Sequence, residues 1–196
     1  IGDKHIPLIQ NVMNSDVVAG ISDAGCDALD VLFNTEEGRD YLINRRGLDP
    51  ALVGQLENFG LSGIANMLGA IKTARYFNLT EDDVIVTVAT DGASMYGSER
   101  EKAAARDFPG GFDAVSAGEV FGQHLAGLDN DHYLELGHRD RNRIFNLGYF
   151  TWVEQQGIEL GDFDSRRDQA FWRGLAATLP DWDRAIEAFN AKTGVA

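Results

Sequence analysis

The chain has 196 residues, 44% of them hydrophobic and 24% charged, which is the composition of a globular domain, alone or with an extension. Its formal net charge of −14 disfavours nucleic acids and anionic membrane surfaces as partners, because their phosphates would be repelled. No run approaches the roughly 20 apolar residues that a helix needs to cross a bilayer, so no membrane contact is expected.

Short apolar runs and helical patterns alternate near the start of the chain. The apolar residues 17–21 predict a buried strand. Ser22 is a candidate N-cap for a helix over 24–34, and a second helix is expected over 35–46. Pro50 then stands where a proline is tolerated, in the first turn of another helix.

A long amphipathic helix followed by a strand is predicted next. Ser62 is its expected cap, and the helical spacing is carried by Ile64, Met67, Leu68, Ile71 and Ala74. The apolar run 84–89 predicts a second buried strand. Strands that alternate with helices in this way indicate an α/β layer.

The second half of the chain shows no convincing strand. Helical patterns occur over 113–127, 138–156, 162–178 and 181–192. Large apolar side chains on these helices are expected to pack rather than to bind ligands; they are Trp152, Phe163, Phe171, Trp172, Trp182 and Phe189. We therefore divide the chain into a first domain, 1–98, and a helical extension, 99–196.

Few residues of the sequence belong to a catalytic, disulfide or metal-binding motif. The single cysteine, Cys26, has no disulfide partner, which fits a reducing compartment, and we expect a packed thiol in a cytoplasmic protein. The four histidines lack the spacing of metal ligands, so no metal site is predicted. Because the chain starts without Met, we interpret it as a processed chain or a piece of a longer polypeptide.

Three segments, taken in order, nevertheless resemble one family. They are 1–7 with 17–23, then 60–66 at the start of the long helix, and then 84–96. The order is similar to that of fold-type II pyridoxal-phosphate enzymes, the tryptophan synthase β and cysteine synthase superfamily. The resemblance covers about half of the chain. It implies an α/β fold, namely the C-terminal half of a three-layer αβα large domain, followed by the all-helical extension.

The resemblance also implies pyridoxal 5′-phosphate as cofactor, with residues that contact it. Thr90 matches the hydroxyl residue that hydrogen-bonds the pyridine nitrogen, and Asp91 and Gly92 follow it. Whether Thr90 or Asp91 faces that nitrogen is left open. Ser62 and Gly63 match the turn beside the cofactor ring. A neutral hydroxyl at the nitrogen suits β-elimination and β-replacement better than transamination.

The first residues match the family's substrate loop, which implies substrate-binding roles for Gly2, Asp3, Lys4 and His5. Cysteine synthases carry small and apolar residues there, whereas this loop is charged. The expected substrate is a small amino acid of the serine, cysteine or threonine type, bound differently from the substrate of a cysteine synthase. A solvated terminal loop is the alternative.

The family's Schiff-base lysine and phosphate loop lie upstream of the matched segments. No lysine of this chain matches that position; the four are Lys4, Lys72, Lys102 and Lys192. The resemblance therefore implies no catalytic residue here, and the chain alone is expected to be inactive. A missing N-terminal half or a partner chain would carry the lysine, in a homo- or hetero-oligomeric lyase or synthase.

A second hypothesis places the chain in another functional class. It would be a non-catalytic scaffold or regulatory subunit that binds a complete enzyme, and the charged loop at 3–5 favours it. An α/β hydrolase or a nucleotide-binding layer finds no support, because the sequence contains neither a nucleophile elbow nor a phosphate loop.

Overall fold

A computed structural model describes residues 5–194 and shows a protein that is 66% helical. The described part of the chain contains one sheet of two strands, β1 (Val17–Ala19) and β2 (Tyr133–Glu135). The strands are antiparallel, because the Gly20 N–H donates to the His132 carbonyl at 2.7 Å and the Leu136 N–H donates to the Asp16 carbonyl at 2.8 Å.

The predicted α/β fold is therefore wrong, and so is the three-layer αβα domain. Residues 84–89 form no strand, and the side chains of Val84 and Val86 are 83% and 89% exposed. A strand needs a neighbour to pair its backbone groups, and residues 5–194 supply none beside this run. The extension is not all-helical either, since β2 lies within it.

The chain divides into two compact units, and residues 19–134 belong to the first. Its helices are α1 (Asp23–Asn34), α2 (Glu36–Asp40), α3 (Pro50–Gln55), α4 (Leu61–Phe77), α5 (Gly97–Asp107) and α6 (Ala114–Phe121). Helix α1 is central and contacts α2, α4, α5 and α6. Its apolar residues fill the core, with Leu29 and Leu32 fully buried against Ile64 of α4. The helix predicted over 24–34 is confirmed.

The residues predicted to start the helices of this unit are only partly confirmed. Pro50 occupies the first turn of α3, as predicted, and the Asp49 carboxylate accepts the Ala51 N–H at 2.8 Å. Ser22 stands at the N-cap of α1, but its side chain forms no capping bond. The N-cap of α4 is Gly60 rather than Ser62, so that prediction is wrong.

The second unit comprises residues 5–18 and 135–194 of the described chain. Its helices are α7 (His138–Leu147), α8 (Leu160–Ser165), α9 (Gln169–Ala177) and α10 (Leu179–Thr193). Phe145 and Phe163 form its core together with Val12. The Arg166 guanidinium lies over both rings, 4.9 Å and 4.4 Å from their centroids. The helix predicted over 162–178 is interrupted between α8 and α9.

The aromatic side chains of this unit do not all pack as expected. Phe163 is buried and Trp152 packs against the same core. Trp182 and Phe189 of α10 are each 64% exposed, so the expectation of packing is wrong for them. The predicted domain change at residue 98 falls inside α5 and stays a prediction. Across residues 5–194, no helix combines the length and the apolar character that a membrane span requires.

Candidate functional site

Two loops singled out from the sequence meet in the first unit. One precedes α4 and ends at Gly60; the other is the 90–92 segment, which leads into a short 3₁₀ turn over Ala93–Tyr96. The Gly60 N–H donates to the Asp91 carbonyl oxygen at 2.7 Å. This bond joins two of the three segments that carry the family resemblance.

Glycine makes this close approach feasible. A Cβ atom built on Gly60 would lie 2.6 Å from the Asp91 carbonyl oxygen and 2.5 Å from Tyr96 Cε2. A Cβ on Gly92 would lie 3.3 Å from the Glu57 carbonyl oxygen, which is tight. The loops therefore pack backbone against backbone, and a larger residue at Gly60 would separate them.

The two polar residues of the second loop differ in their surroundings. Asp91 accepts a hydrogen bond from the Tyr96 hydroxyl at 3.3 Å. Burial, together with the Asp91 charge, raises the pKa of Tyr96, so its proton is retained at neutral pH. Thr90 is exposed, and within the described chain its hydroxyl forms no hydrogen bond. Thr90 is thus the residue of the loop with a hydroxyl ready for an external acceptor or donor.

Ser62 and Gly63 lie in the first turn of α4. Ser62 is partly buried, while Gly63 is buried, and a Cβ on Gly63 would approach Phe59 Cδ1 to 2.9 Å. Gly63 therefore has a packing role beneath the loop. Ser62 and Gly63 follow Gly60 by two and three residues in the chain, and Gly60 is the residue of this turn that bonds to the 90–92 loop.

A cavity of about 420 Å³ opens beside the second loop. Its polar lining comes from Asn34, Arg39, Glu57, Asn58, Ser94 and Arg100, and Gly92 forms part of its wall. Two guanidinium groups and two carboxamides give this lining several donors, beside the Glu57 carboxylate as an acceptor. Such a lining suits a small molecule that carries a carboxylate or a phosphate.

Ion pairs hold both arginines in position. Arg100 donates to the two carboxylate oxygens of Asp30 at 2.9 Å and 3.2 Å, and also to the Ala93 carbonyl at 2.9 Å. Asp30 is buried, and burial raises the pKa of its carboxyl above the ordinary value although Arg100 opposes that rise. Arg39 donates to the Phe33 carbonyl at 2.9 Å and to Glu57 at 3.3 Å.

A second cavity in the same unit, of about 400 Å³, was not anticipated from the sequence. It is lined by Ser22, Lys72, His124 and His132, among others. The buried Lys72 ammonium donates to the Gly20 and Asp131 carbonyls at 3.2 Å and 2.7 Å. Burial lowers the pKa of His124, so its ring is neutral near pH 7. Lys72 therefore serves here to tie loops together.

Of the predicted substrate loop, only His5 is among the described residues. Gly2, Asp3 and Lys4 lie outside the described residues. His5 belongs to the second unit, where its ring nitrogen Nδ1 lies 3.0 Å from the Thr151 hydroxyl. A role for these four residues in substrate binding stays a prediction.

Three residues of the cavity beside Gly92 were not predicted from the sequence to be functional: Asn34, Arg39 and Arg100. The Asp30–Arg100 pair joins α1 to α5, and no local pattern announces a contact over that separation. Gly60 and Asp91, by contrast, lie inside the segments chosen from the sequence. Among residues 5–194, no three His, Cys, Asp or Glu side chains converge to hold a metal ion.

Comparisons with known proteins identify no relative of this chain. No protein-family model matches the sequence, no curated protein is similar to it at a significant level, and no solved structure matches its fold.

Proposed function

We propose that this chain is one part of a pyridoxal-phosphate-dependent lyase or synthase that acts on a serine-, cysteine- or threonine-type amino acid. The observation that carries the proposal is the contact between the Gly60 turn and the 90–92 loop. Both lie in segments selected by the family resemblance, and Gly92 of the second loop lines a polar cavity.

The residues present fit the cofactor in one specific respect. The Thr90 hydroxyl is exposed and has no hydrogen-bonding partner among the described residues, whereas the Asp91 carboxylate is engaged by Tyr96. We therefore assign the contact with the pyridine nitrogen to Thr90. When bound, the cofactor would supply the electron sink that lets an amino acid lose its α-proton and then its β-substituent.

The chain's own residues would position the substrate. The cavity beside Gly92 has the volume of a small-molecule pocket, and Asn58 and Ser94 offer it neutral hydrogen-bonding groups. Arg39 and Arg100 line the cavity and are each paired with a carboxylate, so the N–H groups that these pairs leave over would bind the carboxylate of an amino acid. The loop 2–5 would take part in admitting the substrate.

By the family resemblance, the lysine that forms the Schiff base would come from elsewhere. Lys72 is occupied by two carbonyl groups, and Lys102 forms an ion pair with Glu99 at 2.7 Å on α5. A partner chain or a preceding segment would supply it, and the cytoplasm is the compartment we propose. This chain on its own is then expected to turn over no substrate.

The test is cofactor binding to the natively purified protein, measured by equilibrium dialysis against pyridoxal 5′-phosphate and by the cofactor's absorption. Thr90→Ala should weaken binding by about tenfold, which corresponds to about 1.4 kcal/mol for one lost hydrogen bond. Ser98→Ala is the matched control, since Ser98 is also exposed and lies on α5 away from the loop. Equal affinity of Thr90→Ala and wild type would contradict the assignment.

The scaffold hypothesis predicts a different result in the same experiment. A non-catalytic subunit would be purified with a complete enzyme that holds its own cofactor. Thr90→Ala would then leave both the amount of bound cofactor and the turnover of the complex unchanged.

A further inference from the structure

The most exposed apolar segment of the first unit is the run 84–90, which we call the docking segment. Val84, Val86 and Val88 are 83%, 89% and 66% exposed. Monomeric proteins rarely expose several large apolar side chains in succession, and such patches mark interaction sites. Its sequence, Val-Ile-Val-Thr-Val-Ala-Thr, is also rich in the β-branched residues that favour extended backbone.

Most backbone groups of the docking segment have no hydrogen-bonding partner within residues 5–194. None of its N–H groups donates to an acceptor anywhere in residues 5–194. Of its carbonyl groups, that of Val88 accepts a bond from the Asn66 side chain at 2.9 Å. A row of unpaired donors and acceptors is what a strand presents when its neighbour is another chain.

The segment is held at both ends rather than left loose. Before it, a turn closes where the Asp83 carboxylate accepts the Thr80 N–H at 2.8 Å. After it, the Asp91 carbonyl accepts the Gly60 N–H at 2.7 Å. An anchored segment loses less conformational entropy on binding than a free tail does, which favours association.

The charges around the segment decide between a second copy and a different partner. Glu81, Asp82 and Asp83 precede it, and Asp91 follows it, so that Asp83 and Asp91 directly flank the segment. Pairing two copies would place acidic residues opposite acidic residues, whether the strands run parallel or antiparallel. Like charges directly opposite each other destabilise paired strands, so self-pairing is disfavoured.

We propose that the docking segment pairs by strand addition with the edge of an apolar β-sheet in a different polypeptide, at a strand flanked by Lys or Arg. The main-chain groups of the segment would provide the hydrogen bonds, and its valines would provide the buried area. This inference rests on the exposed segment and its charges, and it does not depend on the proposed cofactor chemistry.

A labelled synthetic peptide, Lys-Lys-Val-Thr-Val-Thr-Val-Lys-Lys, is the probe for the full chain, with fluorescence anisotropy as readout. Saturable binding below about 1 mM is expected, and Val86→Lys should weaken it by about tenfold or more. Val115→Lys is the matched control, because Val115 is 68% exposed on α6 and the change in charge is the same. It should bind like wild type.

Two further peptides separate strand pairing from general stickiness. The same peptide methylated at every backbone nitrogen of its central Val-Thr-Val-Thr-Val should not bind, because neither of its edges can then complete the hydrogen-bond ladder. A version with Glu in place of Lys should bind several-fold more weakly, and the difference should shrink at high salt. Equal binding of either peptide would overturn the proposal.

Hydrogen exchange on the unmodified protein gives a measurement that does not require a variant to fold. The amides of 84–90 should exchange rapidly in the free chain and slow by about tenfold or more with the Lys-flanked peptide. Unchanged exchange, or no binding up to millimolar peptide, would overturn the proposal. A dimer seen in sedimentation and abolished by Val86→Lys would also overturn it, because the segment would then pair with a second copy of this chain.

Discussion

Gly60 shows how one residue without a side chain can hold a candidate site together. It is the N-cap of α4, it is buried, and its N–H binds the loop that contains Thr90. Its φ of −78° is accessible to any residue, so its role comes from space and not from backbone conformation.

Gly60→Ala is expected to destabilise the protein by about 1–3 kcal/mol, because its Cβ would overlap the Asp91 carbonyl and the Tyr96 ring. The free energy of unfolding in urea measures the effect. Gly54→Ala is the control, since Gly54 lies in α3 with no atom within 4 Å of an added Cβ. That change should stabilise the helix slightly. A Gly60→Ala protein as stable as wild type would refute the close contact.

The Asp30–Arg100 pair is the other residue-scale feature that can be tested. Asp30 is 1% exposed, so it depends on Arg100 and on Asn34, which donates to it at 2.9 Å. Burial raises the pKa of Asp30 in the folded chain, and Arg100 limits that rise. A raised folded pKa means that this group's contribution to stability is lost as pH rises through that pKa.

Arg100→Met should lower the free energy of unfolding at pH 7 by about 3–5 kcal/mol, because it leaves a buried carboxylate without its cation. Without Arg100, the pKa of Asp30 should rise further in the folded variant. The loss should therefore be smaller at pH 5, where the Asp30 carboxyl can take up a proton in the folded chain. Urea titrations at both pH values test this. Arg106→Met is the control; its ion pairs with Asp27 and Asp107 are exposed, and the change should be much smaller. An equal loss at both pH values would argue against burial of the charge.

Helix α4 ends at a C-cap residue that was not predicted from the sequence. Asn78 is its C-cap, with φ 52° and ψ 44°, in the left-handed region where Gly and Asn are favoured. The Leu79 N–H then reaches the Ala74 carbonyl at 2.8 Å, which closes the helix end.

Asn78→Val should lower stability by about 1–2 kcal/mol, because a β-branched side chain is strained in the left-handed region. Asn78→Gly should leave stability equal to or slightly above that of wild type. Thermal unfolding followed by circular dichroism compares the two. Similar midpoints for the Val and Gly variants would show that the helix ends in another way.

The unpaired run 84–89 illustrates the largest difference between prediction and structure. Its composition favours a strand by local preference, yet the described chain offers it no neighbour and no strand forms there. Helix α10 presents a similar contrast, since its amphipathic spacing leaves Trp182, Ile186 and Phe189 exposed. Periodicity indicates which face is apolar and does not indicate what covers it.

Among the described residues, the first unit is one continuous stretch, 19–134, with a core of its own. Cys26, Leu29, Ile64 and Val120 all lie in this core and all within residues 19–134. Burial raises the pKa of the Cys26 thiol to about 11, so the thiol is an internal reporter of folding.

A fragment of residues 19–134 should therefore fold without the rest of the chain. We expect helical circular dichroism, one cooperative urea transition, and a Cys26 thiol that reacts with a disulfide reagent at least about a hundredfold more slowly than in urea. A fragment with a fast-reacting thiol and no transition would show that the core depends on other parts of the chain.

The features that could be predicted from the sequence alone are those that depend on residues close together in the chain. The sequence located α1, the start of α3 at Pro50, and two loops, at Gly60 and Asp91, that prove to touch. An α-helix pairs its own backbone groups within a few residues, so its signals are local. The tertiary structure alone decided that 84–89 is unpaired and that Asp30 meets Arg100. Strands and buried ion pairs need partners that are distant in the chain, and no short pattern encodes whether such a partner is present.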